Sequence, residues 1–223
     1  MQFKLNGVEK QYAGPEEGSL LRWLRDEEGI ISAKDGCSPQ AACGCCTVEL
    51  GGKAVLSCVT SMRQVSGKDV VTTEGMGKTA QDAFASAFAH NGGAQCGFCI
   101  PGIVMRAWNL VKKTPTPSND DIERGLNQHL CRCTGYKKIV ASIQEAATSL
   151  RTGKRPAAPK ATGRVGTRLP KYDIKDAVLG RRPYVADMAV PGMLHAAMRL
   201  SDHPRAKVLK IDVSAALALP GVT

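Results

Sequence analysis

The chain has 223 residues, with 30 Lys and Arg against 20 Asp and Glu and a net charge of +10, enough for one large domain or two small ones. No run approaches the roughly 18 to 20 unbroken apolar residues of a membrane span. The opening Met1-Gln2-Phe3-Lys4-Leu5-Asn6-Gly7 lacks the apolar core of a secretory signal. A soluble, cytoplasmic protein is the expectation.

Asn6-Gly7 joins Gln2–Leu5 to Val8–Tyr12 as a two-residue hairpin signal, and Ser19 precedes the apolar-periodic run Leu20, Leu21, Trp23, Leu24 that ends near Gly29. Gly51-Gly52 joins Thr47–Leu50 to Lys53–Val59 as a second hairpin, and the β-branched run Asp69–Thr73 reads as a further strand. Two hairpins around one helix make a small mixed sheet.

After about residue 78 the period turns helical. Four helices are expected: Ala80–His90; one opening at Pro101 and ending at Lys112 and Lys113; Asn119–Leu130, capped by Ser118; and Tyr136–Leu150, with Ile139, Val140, Ile143, Ala146 and Ala147 on one stripe.

Residues 1–150 carry 16 basic and 15 acidic side chains, residues 151–223 carry 14 and 5, so the basic excess belongs to the tail. Between Arg151 and Tyr172 there are seven basic residues and no acid, broken by Pro156, Pro159, Gly163, Gly166 and Pro170. This is linker composition, and folding should resume near Tyr172. The stretch lacks the interleaved aromatics of a nucleic-acid surface and fits better as a linker over an acidic partner surface.

Nine cysteines without an export signal point to metal ligation and away from disulfides. Cys37, Cys43 and Cys46 are spaced C-x5-C-x2-C, with Cys58 after eleven intervening residues, a loop one residue longer than the plant-type [2Fe-2S] pattern. Cys45 is left over. Cys96-Gly97-Phe98-Cys99 and Cys131-Arg132-Cys133 supply a second set of four, each pair beside a helix start whose N–H groups favour negative charge. Tetrathiolate zinc is the alternative for either set. His90, His129, His195 and His203 have no paired metal spacing and read as surface or helix-end residues.

Ala94-Gln95-Cys96-Gly97-Phe98-Cys99, Cys131-Arg132-Cys133-Thr134-Gly135-Tyr136 and Cys43-Gly44-Cys45-Cys46-Thr47 closely resemble the iron-sulfur part of the molybdenum hydroxylases, the xanthine dehydrogenase and aldehyde oxidoreductase family. The resemblance implies an α+β chain. Residues 1–77 would be a plant-ferredoxin-like β-grasp domain with one [2Fe-2S] cluster on Cys37, Cys43, Cys46 and Cys58. Residues 78–150 would be a four-helix domain with a second cluster on Cys96, Cys99, Cys131 and Cys133. Residues 151–171 would be the linker, and 172–223 a partial α/β segment opening a molybdopterin-binding catalytic portion. That last match rests on Gly180–Met188, Pro191–His195, Ile211-Asp212 and Pro220-Gly221-Val222.

Gln95 and Cys133 correspond to residues beside the molybdopterin. Many relatives have Gly-Gln where this chain has Ala41-Ala42, and Cys45 stands at a frequent alanine. The implied role is electron transfer from a molybdopterin-binding catalytic subunit to an acceptor, in a hetero-oligomer with any FAD on a separate subunit. Residues 1–223 would be an iron-sulfur module joined to the first segment of its catalytic partner, without its molybdenum pocket. A free-standing two-cluster carrier and a zinc-stabilised interaction module are the rivals.

Overall fold

The computed structural model describes residues 1–167 and 169–223. Strands β1 (Gln2–Leu5) and β2 (Val8–Gln11) pair antiparallel across the Asn6-Gly7 turn, with Phe3 opposite Lys10. Asn6 and Gly7 both take positive φ, 51° and 84°, which a two-residue hairpin of this kind requires. Helix α1 (Leu20–Asp26) follows. Its Leu20, Trp23 and Leu24 are buried against Phe3, Leu5, Val48 and Val70, with the Phe3 and Trp23 rings edge-on at 5.0 Å. Ser19 does not cap it. The Ser19 hydroxyl donates instead to the carbonyl of Cys58 at 3.2 Å, tying the helix start to the turn that carries that cysteine.

Strands β3 (Thr47–Leu50) and β4 (Lys53–Leu56) form the second hairpin. A single 3-10 turn, Ser57–Val59, then ends the extended run earlier than Val59 and brings Cys58 back under the sheet. After the short α2 (Met62–Val65), β5 (Asp69–Val71) inserts between the hairpins, parallel to β1 and antiparallel to β3. The five-stranded order is β2-β1-β5-β3-β4.

The helical part comprises α3 (Lys78–Asn91), α4 (Ile100–Lys113), α5 (Asn119–Gly125) and α6 (Tyr136–Thr152). Phe84, Phe88, Ile103, Ile139 and Ile143 are fully buried between them. Ser118 caps α5 as expected, accepting from the Asp121 N–H at 3.2 Å. The helix stops at Gly125 and does not reach Leu130. Residues 126–130 leave it so that the Leu130 N–H can donate to the Cys43 carbonyl at 3.0 Å.

Buried Glu49 on β3 joins the two parts: Asn109 and Lys112 of α4 donate to its carboxylate at 2.6 and 2.5 Å. Residues beyond the basic stretch pack on the same body, with α7 (Ile174–Val178) burying Ile174, Ala177 and Val178. This unit spans Met1–Met188.

Ala189–Thr223 form a second unit. It holds one short helix, α8 (Ser214–Leu217), and no strand among its described residues, so the partial α/β character expected beyond residue 172 is not seen. Its apolar side chains, among them Leu194, Met198, Leu209 and Ile211, are exposed; a strand forms only where a neighbour satisfies its backbone. No helix among the described residues is long and apolar enough to cross a membrane.

Candidate metal centre

All nine cysteines are free thiols. Cys37, Cys43, Cys45 and Cys46 lie on the winding loop before β3, which turns through positive φ at Ser38, Ala41 and Gly44. Ala41, a non-glycine at φ 55°, marks local strain where the loop departs from the shorter spacing. Cys58 approaches from the 3-10 turn. The Ser57 hydroxyl donates to the Cys46 carbonyl at 2.7 Å, fixing the two segments together.

The second set is built at helix starts, as expected. Cys99 is the residue before α4, with Pro101 in its first turn. Cys131 and Cys133 precede α6. The Tyr136 hydroxyl pins their loop, accepting from the Cys131 N–H at 2.8 Å and donating to the His129 carbonyl at 2.9 Å.

The sulfurs meet mainly in pairs. Cys37 lies beside Cys43, Cys46 beside Cys58, Cys96 beside Cys133 and Cys99 beside Cys131, with Cys43 also beside the spare Cys45 and Cys131 beside Cys133. Backbone N–H groups are aimed at the same sulfurs. Burial pushes the Cys37 thiol up, but the Ala42 and Gln40 N–H groups, the latter at 3.3 Å, and Cys43 outweigh it and hold Cys37 below the usual thiol range. The Cys96 N–H and thiol do the same for Cys133. Burial raises Cys43, Cys45 and Cys99, and takes Cys46 up to about 12.

Two thiolates to each iron, with N–H donors on the sulfurs, is the donor set of a [2Fe-2S] cluster. Tetrahedral zinc needs four ligands converging on one ion. The residues fit the cluster.

The two sets are pressed together. A Cβ on Gly102, in the first turn of α4, would fall 2.5 Å from the Gly44 carbonyl oxygen and 2.9 Å from that of Cys45. One on Gly36 would fall 3.0 Å from the Cys43 sulfur and 3.3 Å from the Phe98 ring of the other loop. Glycine at both positions is what allows this approach. Cys45 sits buried in the seam, its sulfur within electrostatic reach of Cys43 on one side and Cys99 on the other.

Exposure differs along the array. Cys96 is exposed and Cys37 and Cys133 are half-buried, the other six being buried. Gln95 is exposed beside Cys96, its amide donating to the Cys133 carbonyl at 3.2 Å.

Three features escaped the sequence reading. His129 is 4% exposed and no surface residue: its ring packs against Gly44 and its Nε2 lies 3.1 Å from the Thr47 hydroxyl. Burial, with the Arg106 charge adding, lowers its pKa to about 4. Lys34 and Asp187, each with 1% of its side chain exposed, form an ion pair at 2.6 Å that Arg25 completes at 2.6 Å. Burial raises the Asp187 carboxyl, but the Lys34, Tyr184 N–H and Arg25 hydrogen bonds prevail and hold it below its ordinary range. Finally, Lys171, Arg182 and Tyr184 bind the loop carrying Cys96. Tyr184 and Asp187 lie in a motif noted in the sequence, but nothing local discloses their partners.

Two family models match the chain: the [2Fe-2S] binding domain over residues 72–144, and the a/b hammerhead domain of aldehyde oxidase and xanthine dehydrogenase over 179–223. It is 36% identical to the aldehyde oxidoreductase of Megalodesulfovibrio gigas over 98% of this chain and 25% of that protein. It is also 36% identical to a probable xanthine dehydrogenase subunit from Bacillus subtilis (strain 168), over 69% of this chain and 90% of that one. Among solved structures, the aldehyde oxidoreductase from Desulfovibrio gigas superposes with a TM-score of 0.77 at 34% identity, covering 84% of this chain and 22% of that chain. The chain thus spans about a quarter of the length of the aldehyde oxidoreductase it matches and nearly all of the Bacillus protein. A mixed α+β body with paired thiols at helix starts and loop turns, and these likenesses, lead to one conclusion: the chain belongs to the xanthine dehydrogenase and aldehyde oxidoreductase family of molybdenum hydroxylases, of which it is the iron-sulfur part.

Proposed function

We propose that Cys37, Cys43, Cys46 and Cys58 hold one [2Fe-2S] cluster, that Cys96, Cys99, Cys131 and Cys133 hold a second, and that the chain is the electron-transfer component of a molybdenum-dependent hydroxylase. In this reading residues 1–77 are the ferredoxin-like β-grasp domain, 78–150 the helical cluster domain, 151–171 a linker, and 172–223 the opening of the catalytic portion. The substrate is an aldehyde or an N-heterocycle such as a purine, oxidised with water as oxygen source at a molybdopterin site on a catalytic partner. An external acceptor, or FAD on another subunit, takes the electrons. That the Bacillus relative is named as one subunit of its enzyme supports the partner chain.

One-electron transfer is the chemistry that such clusters supply when bound. The chain's own residues make the frame. Backbone N–H groups stabilise the thiolates, and burial of six of the nine cysteines keeps water from most of the array. Gly36, Gly102 and Phe98 hold the two sets at contact distance. Gln95 uses one amide N–H on Cys133 and keeps further donor and acceptor capacity on the exposed side, which suits a pterin edge. The observation that carries the reading is the pairing of eight sulfurs in two adjoining sets.

Anaerobically purified chain should contain about four irons with matching sulfide and show two electron-spin signals on reduction. Cys133→Ser should abolish one signal and leave the other. Colourless protein with about two zinc ions, or a Cys133→Ser spectrum identical to the native one, would overturn the reading.

A further inference from the structure

The end of the basic stretch and the segment that follows it make several contacts with the Cys96–Cys99 loop. Lys171 donates to the Gln95 carbonyl at 2.8 Å. That carbonyl belongs to the same peptide group as the Cys96 N–H, which lies beside the Cys133 sulfur. A cation, one peptide and a proposed cluster ligand therefore lie side by side. The next carbonyl, of Cys96, accepts from two donors at once, the Arg182 guanidinium at 2.8 Å and the Tyr184 hydroxyl at 2.5 Å.

These contacts are held in place from several sides. The Tyr184 ring packs edge-on against Phe98, with centroids 5.3 Å apart, and the Arg182 and Lys34 charges each lie 4.9 Å from it. Asp187, fixed by Lys34 and Arg25, anchors the backbone by accepting from the Tyr184 N–H at 2.8 Å. A Cβ on Gly97 would come within 2.9 Å of Ala177 and 3.0 Å of the Tyr184 oxygen, so the loop and the segment are shaped to each other.

Donation to a peptide carbonyl polarises that peptide and strengthens the hydrogen bond from its N–H. Positive charge and stronger N–H donation to sulfur both favour the form of a cluster that carries one more electron. We propose that Lys171, Arg182 and Tyr184 are positioning residues that clamp the Cys96–Cys99 loop and raise the reduction potential of the cluster on Cys96, Cys99, Cys131 and Cys133, leaving the other cluster unaffected. This rests on the cluster assignment proposed above. It makes residues 171–184 part of the electron path's tuning as well as a connection.

The test is a potentiometric titration of the iron-loaded 223-residue chain, followed by electron-spin resonance, with the second-cluster signal identified as the one lost in Cys133→Ser. In Lys171→Met/Arg182→Met that signal's reduction equilibrium should shift roughly tenfold toward the oxidised form, ~59 mV for one electron. The signal of the Cys37, Cys43, Cys46, Cys58 set should stay in place. Tyr184→Phe, which keeps the ring against Phe98, should shift it about threefold in the same direction, and Arg182→Lys should restore most of the Arg182→Met change. Two normal signals with unmoved midpoints, or both midpoints moving equally, would overturn the inference and leave the cluster assignment standing. Absence of two signals from the unsubstituted chain would overturn the assignment and the inference with it.

Discussion

Gly102→Ala sets two effects of opposite sign against each other. In the interior of an exposed helix, Ala is favoured over Gly by about 0.8–1 kcal/mol, which is the upper limit of the gain at Gly102 in the first turn of α4. The new Cβ, however, would stand 2.5 Å from the Gly44 oxygen, where ordinary contact begins at 3.4 Å, so α4 and the cysteine loop must part by about 0.9 Å. The obstacle is backbone on both sides, and overpacking of this kind costs about 2–3 kcal/mol. The clash should win by about 1–2 kcal/mol, lowering the melting temperature of the iron-loaded protein by about 2–8 °C. Magnetic coupling between the two cluster signals should weaken with it. Gly125→Ala is the control: it ends α5, and its Cβ would meet only a Leu110 methyl at 3.6 Å, so it should be neutral or stabilising by up to about 1 kcal/mol. Equal stability of the two variants, with coupling intact in Gly102→Ala, would refute the tight seam.

Asp187→Asn leaves Lys34 buried without its counter-charge and should cost about 3–5 kcal/mol, seen as faster hydrogen exchange across residues 171–188. Because the folded-state pKa of Asp187 is depressed, its contribution is present above the unfolded value and lost as pH falls through the folded one. Acid titration should therefore release this segment at pH values below about 4, and Asp187→Asn should flatten that part of the profile. Cys45→Ala should retain the full iron content and both signals, whereas Cys46→Ser should lose the signal of the first set. A loss of iron in Cys45→Ala would make Cys45 a ligand.

The hairpins and the helix starts were legible in the sequence because their determinants are local: the Asn6-Gly7 and Gly51-Gly52 turns, Pro101 and Ser118. The end of α5 was not, since Leu130 leaves the helix for the Cys43 carbonyl, a tertiary bond with no local signature. Burial of His129 depends on Thr47, 82 residues away, and the Lys34–Asp187 pair spans 153 residues. Both are products of packing. The α/β character expected beyond residue 172 came from resemblance alone, and pairing decides whether a strand exists; none is present among the described residues of 189–223.

The seam at Gly36, Gly102 and Phe98 also bears on the speed of charge movement. Cys43, Cys45, Cys99 and Cys131 belong to one close-packed apolar body together with Phe84 and Ile103, and such interiors are stiff, with little free volume into which atoms can shift. A change of charge at these buried sulfurs therefore meets walls that barely move, whereas Cys96 faces solvent. In the function proposed above, the reorganisation accompanying each hop would be small there, and what a glycine forgoes in helix stability would return as a lower barrier to the electron.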